Sequence, residues 1–264
     1  MKELLSRIII GFLLGVLLII TTISDMHFFL IFLLFWLGIA TKEFLNLLEK
    51  NGLKLNPFLF IPINLAFLFF TYFNLPLFYF LLIIFLIFLW AILQTPFTSK
   101  YLTYGLFSIF YLAFLPSHFL LLKRLINNHQ LSTWLILFPL FFTWINDTIA
   151  YGVGKIIGKK SLAKVISPKK TWEGFLSSII FSIPFSFFYL EKFLPSVNSI
   201  LFILLSIFLS ILAQVGDLVE SIFKREAGVK DTSRILLGHG GFLDRIDSLL
   251  FTIPAFYYFL VLIL

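Results

Sequence analysis

The sequence predicts an all-α integral membrane protein: a polytopic helical bundle of about nine transmembrane helices, with its N-terminus in the cytoplasm. Three observations carry that prediction. Of 264 residues, 60% are hydrophobic and only 12% are charged, about half the charged share of an ordinary soluble domain. A soluble fold could not hide 37 Phe from water, because an ordinary protein surface is already about 55–60% apolar. Finally, several apolar runs approach or exceed about 18 residues, the length that crosses a bilayer. A secreted, cytosolic or disordered chain is excluded.

Taken in order, the first element has a basic start, Lys2 and Arg7, followed by the apolar run Ile8–Ile23. A signal peptide has this layout, but no small-x-small cleavage site follows in Thr21-Thr22-Ile23-Ser24-Asp25-Met26, so a retained helix is expected. Further spans are predicted at 27–47, 58–73, 76–94, 101–122, 131–151, 172–190, 197–222 and 247–264. The run 58–73 is short and contains Pro62, so it and 76–94 have a re-entrant hairpin as an alternative. That alternative leaves the orientation of everything else unchanged. With the N-terminus inside, 17 of the 20 Lys and Arg fall on the cytoplasmic side, and only Lys123, Arg124 and Lys192 fall outside. Positive charge retained in the cytoplasm accounts for that asymmetry. The net charge of +7 is therefore read as topology before nucleic-acid binding. The chain has no Cys, which excludes disulfides, thiolate metal sites and thiol catalysis.

Two regions differ in style. Residues 1–130 read as scaffold helices with plain connections, and 131–264 as a catalytic region with two long cytoplasmic loops. Residues 140–247 hold 9 of the 13 acids. Asp147 lies near the cytoplasmic end of the sixth span. In the eighth, Asp217, Glu220, Ser221 and Lys224 share one helical face. An acid at the bilayer centre costs roughly 2.5–3.5 kcal/mol on insertion scales. Glu220 has a structural explanation in a pair with Lys224, whereas Asp217 has no basic partner one turn away. Asp244 and Asp247 open the last helix three residues apart; N-capping needs one of them, not both. Hard carboxylate oxygens without thiols suit Mg²⁺. His239, set between glycines, reads as a loop hydrogen-bonder or a ligand. Lys169 and Lys170 precede a helix start, and Lys224, Arg225, Lys230, Arg234 and Arg245 crowd the second loop. That is more positive charge than topology requires, even allowing for anionic lipid headgroups. Gly152-Val153-Gly154-Lys155 fails the Walker spacing and is not a P-loop. Acids for a divalent cation, beside bases and glycines, describe a polyphosphate site suited to phosphoryl transfer.

The segment Ser221-Ile222-Phe223-Lys224-Arg225, with Lys230-Asp231 and His239-Gly240-Gly241-Phe242-Leu243-Asp244-Arg245-Ile246-Asp247, resembles the signature of the phosphatidate cytidylyltransferase (CDP-diacylglycerol synthase) family. Blocks at Asn146–Tyr151, Ser167–Gly174 and Gln214–Ser221 resemble that family's other shared segments, in the same order. One departure is Leu237, where the family usually has Pro. The resemblance implies a multi-pass enzyme of the bacterial inner membrane with its active site facing the cytoplasm, homodimeric and dependent on Mg²⁺. It leaves open whether a second cation assists. The implied reaction condenses CTP with phosphatidate, drawn from the membrane lipids, to CDP-diacylglycerol and pyrophosphate; nucleic acid is not a partner. Asp217, Asp244 and Asp247 are the implied metal ligands, and Asp217, Asp244, Asp147 and Lys224 the implied catalytic residues. Substrate binding is expected at Lys169, Lys170, Ser221, Arg225, Lys230, His239, Gly240, Gly241 and Arg245. The competing classes are an ion-coupled membrane transporter, for which no internal repeat is found, and a CTP-dependent lipid kinase, which would release CDP.

Overall fold

A computed structural model describes residues 2–95, 98–236 and 240–264. Leu237, Gly238 and His239 lie outside the described residues, so the expectation for His239 falls there too. The fold is helical, as predicted, and divides into two compact units: residues 1–121 with 226–245, and residues 122–225 with 246–264.

The first unit contains α1 (Lys2–Ile23), α2 (Met26–Lys50), α3 (Pro57–Tyr72), α4 (Leu77–Ile92) and α5 (Ser99–Ile109). A π-helical turn, Phe110–Phe114, joins α5 to α6 (Leu115–Asn128), within which the division between the units falls. Asp25 caps α2 by accepting from the amides of His27 and Phe28. Pro57 starts α3, where its missing N–H costs nothing. Pro62 lies inside α3 and does not end it. At 16 residues each, α3 and α4 are shorter than the full-length spans. Along α4, Leu77, Phe78, Leu81, Phe85 and Ile92 are all exposed, which suits a helix solvated by lipid rather than water. Inside this unit Asn64, which is fully buried, donates from Nδ2 to Ser108 Oγ at 3.0 Å.

The second unit contains α7 (Phe138–Ile157), entered through a 3₁₀ turn at Thr133–Leu137, then α8 (Trp172–Phe193), α9 (Ser199–Glu226) and α10 (Asp247–Ile263). Among the described residues, five helical stretches are long and apolar enough to cross a membrane: Met26–Lys50, Ser99–Asn128, Thr133–Ile157, Trp172–Phe193 and Ser199–Glu226. Each overlaps a predicted span and extends past its C-terminal end. The overrun of α9 to Glu226 matters, because it carries Lys224 and Arg225 on the helix instead of in a loop.

The loop expected between α7 and α8 contains a small antiparallel hairpin, β1 (Ser161–Ala163) paired with β2 (Ser167–Thr171). Thr171 then caps α8, accepting from Gly174 N at 3.2 Å, while the Glu173 carboxylate accepts from Lys159 N at 3.1 Å. Helices α7 and α8 meet closely at this end, where a Cβ on Gly174 would collide with the carbonyl oxygen of Ala150. Gly152 and Gly154 are helical residues of α7, which removes the anion-loop geometry their spacing superficially suggested. A polar seam crosses the unit: Ser178, Ser182 and Ser186 of α8 are fully buried, as are Ser206 and Ser210 of α9. Asn146 Nδ2 donates to Ser210 Oγ at 2.8 Å, and Ser210 Oγ lies 3.0 Å from Ser182 Oγ. Small hydroxyl side chains let apolar helices approach closely and bond across the contact.

Candidate active site

The C-terminal end of α9 carries the predicted stripe. Positions 217, 220, 221 and 224 fall on one face, and their side chains join accordingly. Ser221 Oγ donates to Asp217 Oδ1 at 3.2 Å, one turn away. Lys224 forms an ion pair with Glu220, again one turn away, with the Glu220 side chain 1% exposed and that of Lys224 10%. The structural pairing that the spacing allowed for Glu220 is therefore present.

Asp217 has a basic partner after all, and it comes from elsewhere. Lys170 Nζ of β2 lies 2.6 Å from Asp217 Oδ2. Arg225 Nε adds a second tie between the same elements by donating to the carbonyl of Ile166 at 3.0 Å. The hairpin thus brings the Lys170 ammonium onto α9, which a structureless loop would not do reproducibly. Lys169, beside it on β2, is exposed.

Helix α10 supplies the third acid. Asp247 is its first residue and its Oδ1 accepts from Ser248 N at 2.6 Å. Asp217, Glu220 and Lys224 are charged or polar groups that act on the Asp247 carboxylate. Ser248 Oγ donates to the Ala213 carbonyl at 3.1 Å and fixes α10 against α9. Gly216 permits that approach: a Cβ there would lie 2.5 Å from the Asp247 carbonyl oxygen. Three carboxylates and two ammonium groups therefore gather at one crossing of two helices. Asp147 stands on the exposed side of α7.

The remaining predicted residues belong to the first unit. Asp244 sits in a 3₁₀ turn, Leu243–Arg245, and not on the last helix, which begins at Asp247. Its Oδ2 already closes a turn of its own loop, accepting from Gly241 N at 2.7 Å, Thr232 Oγ1 at 2.7 Å and Thr232 N at 3.0 Å. Gly240 has φ +78, a conformation natural to glycine. Lys230 and Arg245 are exposed. Sequence reasoning missed two residues here, Glu43 of α2 and Thr232, both buried and both bonded to this loop. The available signal was an acid inside an apolar helix, in Ala40-Thr41-Lys42-Glu43-Phe44.

For Mg²⁺ the donor chemistry fits. Among the described residues no group of three or more acidic or His side chains forms a ready-made metal cage. Mg²⁺ seldom uses one; it takes one or two carboxylates and completes its shell with water and substrate phosphates. Asp217 and Asp247 could supply such a pair.

Comparison with known proteins places the chain in a family. The Cytidylyltransferase family matches residues 5–263. A phosphatidate cytidylyltransferase of Staphylococcus haemolyticus (strain JCSC1435) is 49% identical over 121 residues, covering 45% of this chain and 46% of that protein. Proteins of the same name from Staphylococcus aureus (strain COL) and Staphylococcus epidermidis (strain ATCC 35984) are 46% identical over 121 residues and 49% over 120, with the same coverage. The chain thus spans about half the length of the relatives it matches (46%).

Proposed function

The chain belongs to the cytidylyltransferase family, and from that premise we propose that it is a phosphatidate cytidylyltransferase, condensing CTP with phosphatidate to CDP-diacylglycerol and pyrophosphate. The observation that carries the proposal is the interleaving of Asp217, Glu220 and Asp247 with Lys170 and Lys224 at the α9–α10 crossing. Such a site answers the main difficulty of the reaction, which is to bring two polyanions together.

The nucleophile is a phosphate oxygen of phosphatidate, already anionic near neutral pH, so no general base is required. It attacks the α-phosphorus of CTP; the new P–O bond forms as the bond to the bridging oxygen of the β-phosphate breaks, and pyrophosphate leaves. Lys170 and Lys224 offset the charge of the phosphates, and Arg225 holds the hairpin that carries Lys170. Asp217 and Asp247 would hold Mg²⁺, which would supply charge neutralisation and polarisation of the phosphoryl oxygens. Asp244 orders the Gly240-Gly241 turn, whose backbone, with Lys230 and Arg245, is assigned to substrate binding. The lipid tails remain in the bilayer.

In this reading the protein is multi-pass in a bacterial cytoplasmic membrane, with its basic loops on the cytoplasmic side. The lysine and arginine asymmetry supports that orientation, and the bacterial relatives support the setting. A homodimer is proposed from the family resemblance.

Purified protein with CTP, phosphatidate and Mg²⁺, assayed for pyrophosphate and CDP-lipid, tests the proposal. Both products should appear together and only with lipid present. CDP in place of pyrophosphate would point to a lipid kinase, and solute flux in proteoliposomes without CTP would point to a transporter; either overturns the reading.

A further inference from the structure

Glu43 has no role in the reaction described above, yet its carboxylate accepts four hydrogen bonds. It lies on α2 and is 2% exposed. Both of its oxygens are occupied, and each takes one hydroxyl and one backbone amide. Oε1 accepts from Ser233 Oγ at 2.6 Å and from Phe242 N at 3.1 Å. Oε2 accepts from Leu243 N at 2.8 Å and from Thr232 Oγ1 at 3.2 Å. All four donors belong to the loop that carries Gly240, Gly241, Asp244 and Arg245.

Neighbouring contacts point the same way. Trp36, also on α2, donates from Nε1 to the Phe242 carbonyl at 3.1 Å, and its ring meets that of Phe242 at 4.7 Å between centroids. A Cβ on Gly241 would collide with the Glu43 carboxylate and with Thr232 Oγ1, so the glycine is what lets the loop close over the acid. Thr232 stands between two carboxylates, with its hydroxyl nearer Asp244 (2.7 Å) than Glu43 (3.2 Å). The two acids thus grip the loop at both of its ends, one from inside it and one from α2.

We propose that Glu43 is a positioning residue for the cytidylyltransferase reaction: it holds Thr232 and Ser233 together with Phe242 and Leu243, so that Gly241 and Asp244 keep their working geometry, and does not itself touch substrate. Placing a carboxylate in an apolar interior is costly. Four donors offset that cost here, and hydrogen bonds to a charged acceptor are the strong ones. The inference rests on the proposed function only for its kinetic readout.

The discriminating variant is Glu43→Gln. It keeps size and removes charge, so a residue that merely fills space should tolerate it. A loop holder should not, because a glutamine has one oxygen and must turn its NH₂ toward a backbone N–H. The full-length protein, purified in lipid nanodiscs, should lose about ten- to a hundred-fold in kcat/KM for CTP per folded molecule. The amides of Phe242 and Leu243 should exchange hydrogen faster. Unchanged KM and kcat together with unchanged exchange would overturn the proposal, as would fast exchange with normal kinetics. If Glu43→Gln does not fold, Ser233→Ala removes only one donor; it should speed exchange at Phe242 and raise KM for CTP, and no change in either overturns the proposal. Failure of the function reading is separable: wild-type protein would then release no lipid-dependent pyrophosphate, while the exchange experiment still reports on Glu43.

Discussion

Lys170 Nζ lies 2.6 Å from Asp217 Oδ2, joining a cation on strand β2 to an acid on helix α9. The pair is partly buried: its side chains are 20% and 30% exposed, and the Lys170 nitrogen itself is shielded from solvent. Its value lies in what the partners can exchange: the ammonium can turn to a phosphate oxygen and the carboxylate to a hard cation. Lys170→Met should therefore raise KM for CTP about ten-fold, with a smaller effect on kcat. Asp217→Asn should lower turnover at least about 100-fold with the protein still in the membrane. Initial rates of pyrophosphate release against CTP concentration measure both. Near-normal turnover in Asp217→Asn would remove that residue from the site.

The pair beside it behaves differently. Lys224 and Glu220 are buried, and removing one member of a buried pair costs about 3–5 kcal/mol because the other charge is left alone. Lys224→Met should lower the thermal unfolding midpoint of the detergent-solubilised protein, and adding Glu220→Gln to it should restore most of the loss. If stability returns in the double variant but turnover does not, Lys224 serves the chemistry as well as the fold. An unchanged midpoint in Lys224→Met would show that the pair does not hold the helix end.

Asp247 tests the metal assignment directly. Asp247→Asn keeps the size of the side chain and an oxygen able to accept from Ser248 N, so α10 retains its start. The Mg²⁺ concentration giving half-maximal rate should rise about ten-fold, with KM for CTP at saturating Mg²⁺ closer to normal. A Mg²⁺ titration identical to that of wild type would take Asp247 out of the metal's reach.

How much of this was readable beforehand follows from physics. Apolar length alone located the long spans, because a bilayer imposes its thickness on any helix that crosses it. The stripe of Asp217, Glu220, Ser221 and Lys224 was readable because helical neighbours are fixed by spacing. The partner of Asp217 was not, since it arrives from a hairpin whose strands are only three and five residues long, too short for any alternation to announce them. Asp244 was placed on the wrong element for a related reason. Its turn is closed by Thr232, a contact across the loop that no local pattern encodes. Glu43 is not legible for the same reason: its partners, Thr232, Ser233, Phe242 and Leu243, lie far along the chain, and no motif surrounds it on α2.

Gly216 links packing to chemistry. A Cβ added there would meet the Asp247 carbonyl oxygen at 2.5 Å and the Ser248 Cα at 3.0 Å. Both are backbone atoms, so no side chain can swing aside and α10 itself must move. That movement would strain the Ser248 bond to Ala213 and displace Asp247 from Asp217. Alanine gains about 1 kcal/mol over glycine in helix propensity, but overpacking costs about 1–3 kcal/mol, so Gly216→Ala should be neutral to destabilising and poorly active. Gly152 of α7 is the control, because a Cβ there meets nothing within 4 Å. Gly152→Ala should raise the unfolding midpoint and leave turnover unchanged. Melting curves and turnover for the two variants should therefore diverge, and a Gly216→Ala protein with full activity would show that α9 and α10 need not meet this closely for the chemistry to proceed.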